Sequence, residues 1–159
     1  MIRPVTAFFA PRIHRLDKAV MEWTHGKHSF AEMLGWPIIE ITTIGAKTGK
    51  PRTMPLIGVV AGEKIALIAS SFGREHNPGW YYNLKKNPEC EVLSGGRTGR
   101  YVARELEGDD YDHYWRLAVS YYVGYERYKE RASHRHIPVL LLEPTAEHKP
   151  QRPALSRSK

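Results

Sequence analysis

A chain of 159 residues with 42% hydrophobic content suffices for one ordinary domain with a real core and is too short to expect two. No apolar run approaches the roughly 20 residues of a membrane helix, and the N-terminus lacks a signal-peptide layout, so a cytosolic protein is expected. The net charge of +7 is gathered into residues 1–30 (five Lys/Arg, two acids), 45–52 (three, none) and 145–159 (four, one), leaving a near-neutral body. Nucleic acid is therefore not the expected partner, because a phosphate-tracking domain spreads its cations over one face.

Residues 3–23 place Val5, Phe8, Phe9, Ile13, Leu16, Val20 and Trp23 at spacings of mostly three and four, the pattern of an amphipathic helix. Arg12, Arg15 and Lys18 fall largely on its other faces. Such a basic segment could make peripheral contact with a membrane surface at the inner face. More often it packs on its own domain or on a second subunit, which would make a homodimer. Residues 1–30 are thus expected as an N-terminal helical segment, 31–144 as the main domain and 145–159 as a basic, disordered tail.

After the loop around Gly26 to Gly35 come strands expected at Ile38–Ile44, Thr53–Val60, Lys64–Ser70 and Glu89–Ser94, then Arg97–Leu106 and Ile137–Leu142. Their apolar residues are too continuous for an exposed sheet, so both faces should be covered. Between the first two strands lie Gly45, Lys47, Gly49, Lys50 and Arg52. Two glycines let the backbone turn, and three neighbouring cations would converge on an anion. A solvated hairpin tip would look the same.

Asn77-Pro78 reads as the N-cap and first position of a short helix over Pro78–Lys86, closed by Asn87-Pro88. Its start faces Ser70 and Ser71 at a strand end, an arrangement found in binding pockets and equally in plain strand-to-helix connections. A second helical region, 109–132, opens on Asp109-Asp110 and breaks near Tyr121–Tyr125. Tyr122, Tyr125 and Tyr128 recur every third residue along one stripe, more often core or interface than ligand-facing. The single cysteine, Cys90, falls in a strand and reads as a reduced, structural thiol. Eight histidines lack metal-ligand spacing: His25-x-x-His28 has no thiol or acid pattern beside it, and His134-x-His136 sits among arginines. No metal is expected. With no nucleophile, base or metal constellation, hard chemistry would belong to a bound cofactor. The fold class expected is mostly β with peripheral helices (α+β), a barrel of about six antiparallel strands.

In order and register, the chain carries Thr42-Thr43-x-Gly45-x-Lys47-Thr48-Gly49-x-Pro51-Arg52-x-x-Pro55-Leu56 and Ala69-Ser70. It continues with Asn77-Pro78-x-Trp80-Tyr81-x-Asn83-Leu84-x-x-Asn87-Pro88, Tyr122-x-x-Tyr125-x-x-Tyr128, Ile137-Pro138-Val139 and Glu143-Pro144. Over roughly residues 36–144 this set resembles the deazaflavin (coenzyme F420)-dependent nitroreductases, a branch of the split β-barrel flavin/deazaflavin oxidoreductases. The resemblance implies a split β-barrel holding F420, with its phosphate and oligoglutamate tail on Lys47, Lys50 and Arg52. It implies that Pro55 touches the tail or ring edge, that Ala69, Ser70 and Ser71 lie by the deazaflavin, and that Trp80 and Asn83 line the same groove. Tyr122, Tyr125 and Tyr128 would close the substrate side as the catalytic set, with Tyr125 orienting substrate or supplying a proton.

The implied activity is that of an F420H2-dependent reductase. It would pass a hydride from the reduced deazaflavin to a lipophilic electrophile such as a quinone, enone or nitro compound. Two alternatives remain: an FMN-binding oxidoreductase of the same fold, whose single phosphate needs fewer cations, and a non-catalytic F420 or lipophile carrier. The chain departs from the family pattern at Ser71-Phe72-Gly73, where a polar or basic residue and two glycines are common, and at Val123-Gly124, where proline is frequent.

Overall fold

The computed structural model describes residues 37–146. The amphipathic segment expected within 1–30 and all but the first two residues of the tail expected over 145–159 lie outside the described residues. The elements run β1 (Ile38–Ile44), β2 (Pro51–Ile57), β3 (Val59–Ala61), β4 (Lys64–Ile68), a 3-10 turn (Ser71–Gly73) and α1 (Gly79–Lys86). They continue as β5 (Glu89–Ser94), β6 (Arg97–Glu105), α2 (Gly108–Tyr121), α3 (Gly124–Arg131) and β7 (Val139–Pro144).

The seven strands form one antiparallel sheet in the order β2-β1-β5-β6-β7-β4-β3. Its two edge strands, β2 and β3, are consecutive in the chain and separated only by Gly58. One residue spans a few ångströms, so the sheet has to curl until its edges meet at that corner. The result is a split β-barrel. The expected strand over 53–60 is thus two strands, which brings the expected count of about six strands to seven among the described residues. Gly58 sits where the closing edges crowd: a Cβ there would come within 2.9 Å of Ile65 and 3.0 Å of Ile39. Its amide donates to the Pro37 carbonyl at 2.8 Å.

Strand alternation sorts the core into two layers, as a period of two requires. Ile65 and Leu67 of β4, with Leu140 and Leu142 of β7, join Ile39, Ile41 and Val92 in one cluster. Ala66 and Ile68, with Val139 and Leu141, point the other way into a cluster with Tyr111, Trp115 and Ala118 of α2 and Tyr125 and Tyr128 of α3. The near-continuous apolar runs of β4 and β7 follow from having both faces covered. The first cluster also takes Trp80 and Leu84, which stand four residues apart on one face of α1. Tyr111 is satisfied in the core by donating its hydroxyl to the Ile137 carbonyl at 2.9 Å.

Asp109 and Asp110 occupy the first turn of α2, where carboxylates complement the helix dipole. The expected break falls at Tyr122–Val123, and the Trp115 indole N–H ties α2 to Glu126 of α3 at 3.0 Å. Cys90 is buried among apolar neighbours, which pushes its thiol up to about 12 and leaves it chemically inert. Among the described residues, no helix is long and apolar enough to cross a membrane.

Gly58→Ala is expected to destabilise the fold by about 1–3 kcal/mol, the usual range for overpacking a tight core. Chemical denaturation followed by tryptophan fluorescence measures it; an unchanged midpoint would mean that the corner has slack.

Candidate functional site

The β1–β2 connection is built to hold its shape without a ligand. The Gly45 amide donates to the Lys50 carbonyl and the Gly49 amide to the Gly45 carbonyl, each at 2.8 Å. A Cβ on Gly45 would lie 2.6 Å from the Thr48 hydroxyl and 3.2 Å from the Lys50 carbonyl, so any larger residue there would push the Thr48 side chain aside. Helix α1 is stitched to it through residues at helical spacing. Asn83 accepts from the Ala46 amide at 2.9 Å and donates to the hydroxyl of fully buried Thr43 at 3.0 Å. One turn on, Lys86 donates to the Ala46 carbonyl at 2.7 Å.

Between this turn and α1 lies an open groove of about 540 Å³, lined by Gly45–Thr48, Arg52, Gly79, Tyr82 and Asn83. Arg52 pairs across the ladder with Thr43, and cross-strand partners share a face, so Arg52 rises on the Thr43 side of the sheet. Lys47, Lys50 and Arg52 are exposed. The ion pairs among the described residues are Lys64–Glu143, Lys85–Glu105, Arg104–Asp110 and Arg104–Glu143, and none involves these three cations. An excess of positive charge therefore flanks the groove, as an anion site requires.

The expected site residues do not all gather there. Lys47, Arg52 and Asn83 line the groove, whereas Lys50 contributes its carbonyl to the turn and its side chain is not part of the lining. Pro55 pairs with Glu40, on the opposite face of β2 from Arg52. Trp80 is 5% exposed and belongs to the core beneath α1. Ala69 and Ser70 are buried at the end of β4, beside Ser71 and Phe72, which adopt left-handed φ values of 47° and 57°.

The three tyrosines do form one cluster. Ring centroids lie 5.4 Å apart for Tyr122 and Tyr125 and 6.2 Å for Tyr125 and Tyr128, and the Tyr122 and Tyr128 hydroxyls meet at 3.0 Å. Tyr125 is not on the surface of that cluster: at 4% exposure it packs between Trp115, Tyr122 and Tyr128. Burial raises its phenol well above the ordinary value. Phe72 meets Tyr128 edge to face at 5.8 Å, linking the tyrosines to the Ser71–Gly73 turn. Gly124 lets the Tyr122 ring fold over the start of α3, since a Cβ there would overlap that ring.

Two residues have roles that differ from, or escape, the sequence reading. Asn77 is not the helix cap: Pro78 holds that position, and the Asn77 side-chain oxygen instead accepts from Arg135 at 2.6 Å. Arg135, between α3 and β7, also donates to the carbonyls of Ser70 and Arg74 at 2.9 Å each. Partial burial lowers its guanidinium from the ordinary value, with Tyr82 acting in the opposite sense. The sequence signal was only an arginine between two histidines.

Residues 13–144 match the model of the family described as F420H(2)-dependent quinone reductase. An F420H(2)-dependent quinone reductase of Mycobacterium tuberculosis is 33% identical over 131 residues, covering 80% of this chain and 87% of that protein. A solved structure of an F420-H2 dependent reductase (FDR-A) is 42% identical, with a TM-score of 0.63 over 67% of this chain and 94% of that one. A structure described as a domain-swapped dimer is 37% identical, with a TM-score of 0.65 over 84% of this chain and 98% of that one. The haem storage protein HutZ of Vibrio cholerae, 14% identical with a TM-score of 0.53 over 82% of this chain and 90% of that one, shares the fold alone. With most of its length matched, the chain belongs to the F420H(2)-dependent quinone reductase family.

Proposed function

We propose that the groove between the β1–β2 turn and α1 takes the anionic tail of coenzyme F420, with the deazaflavin toward Ala69 and Ser70 and a lipophilic quinone as acceptor. The observation that carries this is the group of three exposed cations in the β1–β2 turn and the start of β2, two of which line the groove, outside every ion pair among the described residues. Several unpaired cations suit a tail bearing several negative charges better than the single phosphate of FMN. When bound in its reduced form, F420 supplies the hydride. The chain supplies binding and alignment.

Lys47 and Arg52 attract and hold the tail, on a turn whose backbone bonds leave little to reorganise. Tyr125 supports the substrate side by packing. As a proton donor it would leave a phenolate in the core, a costly desolvated charge. The proton for the reduced acceptor is assigned to water, and the hydroxyl pair of Tyr122 and Tyr128 forms the polar edge of the cluster. We also propose a homodimer, by analogy with the swapped-dimer relative.

Lys47→Ala together with Arg52→Ala is expected to weaken F420 binding by at least about tenfold, with the melting temperature little changed, since two charge-assisted contacts are lost at exposed positions. Deazaflavin fluorescence titration measures this, and a parallel FMN titration should show weaker binding; equal affinity for both cofactors would overturn the assignment of the groove. Tyr125→Phe is expected to keep turnover within about threefold, as suits a packing residue. A loss of two orders of magnitude in quinone reduction, at unchanged cofactor affinity, would instead return Tyr125 to the role of proton source.

A further inference from the structure

We propose that Arg135 is a positioning residue for the cofactor: its guanidinium holds the Ala69–Asn77 segment in one shape, with Ala69 and Ser70 at one end and the entry to α1, which leads to groove-lining Gly79, at the other. This rests on the assignment of the groove to F420.

A guanidinium offers five N–H donors in a rigid fork. Here Nε donates to the Arg74 carbonyl at 2.9 Å, and Nη1 to the Asn77 side chain at 2.6 Å and the His136 carbonyl at 3.2 Å. Nη2 donates to the Ser70 carbonyl at 2.9 Å, with the Ala69 carbonyl at 3.4 Å. All these acceptors are neutral, and all but one lie within Ala69–Asn77. No carboxylate forms an ion pair with Arg135 among the described residues.

This segment needs an outside support. Ser71 and Phe72 both have positive φ, a conformation costing about 1–3 kcal/mol per residue outside glycine. The segment's own bonds, from the Gly73 amide to the Ser70 carbonyl at 2.8 Å and from the Arg74 amide to the Ser71 carbonyl at 3.1 Å, close the turn locally. The segment's start is tied to the β7 side by the Ala69 amide, which donates to the Pro138 carbonyl at 2.9 Å, and Phe72 rests on Tyr128. Beyond these, Arg135 gathers the carbonyls of Ser70 and Arg74 and the Asn77 side chain, and its own amide is anchored to the Ala132 carbonyl at 2.8 Å, just past α3. The far end of the clamp, Asn77, stands two residues before Gly79, which lines the groove. One side chain thus joins the turn that follows β4 to the entry to α1. Lysine cannot replace it, since a single ammonium with three donors cannot reach five separated acceptors.

The test compares wild type, Arg135→Lys and the milder Asn77→Ala. Trypsin cleavage after Arg74 is followed by mass spectrometry on the cofactor-free protein, and F420 titration and steady-state kinetics on the loaded one. Arg135→Lys is expected to be cleaved at least about tenfold faster, because the turn opens more often. Its F420 affinity or kcat should fall at least about tenfold, as for an ångström-scale misplacement, with quinone KM within about threefold of wild type. Asn77→Ala should move the same way by less. Faster cleavage with unchanged F420 affinity and kcat would reduce Arg135 to a structural role and overturn the proposal. So would wild-type values throughout in folded Arg135→Lys or, if that variant does not fold, in Asn77→Ala. Failure of the wild type to bind F420 would instead overturn the assignment of the groove, while the cleavage rates would still judge the clamp.

Discussion

A single residue joins the two edges of the sheet, and much of the molecule follows from that short link. With only Gly58 between β2 and β3, the sheet cannot lie flat, and curling it creates an inside and an outside. The inside fills with Ile39, Ile41, Leu67, Val92 and Leu140, while the outer face of β4 and β7 takes α2 and α3. Each fully buried Ile or Leu contributes about 1.5–3 kcal/mol, so the two layers together oppose the entropy cost of ordering so curved a sheet. Closure also sets the crowding at the corner, where no side chain larger than hydrogen is accommodated without movement.

Polar contacts then connect the closed barrel to its candidate site. Thr43 is buried at the inner end of β1, and its hydroxyl meets Asn83, which also engages the Ala46 amide. One amide side chain thus satisfies the core and positions the cationic turn. The segment between β4 and α1 is held by main-chain carbonyls gathered on Arg135, and by Phe72 resting on Tyr128. The charged turn and the tyrosine cluster belong to different elements, linked through the segment between β4 and α1.

What was legible in the sequence were features written in local pattern. β1 and β5 match their expected bounds because turn residues punctuate them, and the break between α2 and α3 was marked by Tyr121–Tyr125. Gly58 was hidden because a glycine in an apolar run reads as a continuous strand; only the closure of the sheet reveals the corner. Asn77 beside Pro78 had every local mark of a cap, yet a longer-range competitor, Arg135, took its side chain. Pro55 falls away from Arg52 by strand parity, which no motif match encodes. Arg135 could not be found by residue type, since its partners are mostly backbone carbonyls, which any sequence supplies.

The fold of Tyr122 over Gly124 has an evolutionary side. The place of the Tyr122 phenol depends on an atom that residue 124 does not have, and in that arrangement its hydroxyl meets Tyr128. The two positions are consequently not independent for selection. Any side chain at 124 acts as a displacement of the ring at 122, and a smaller residue at 122 would relieve that contact. Such epistasis is expected wherever residues share space, and it marks the helix break as a place where the tyrosine cluster changes most readily by paired substitutions.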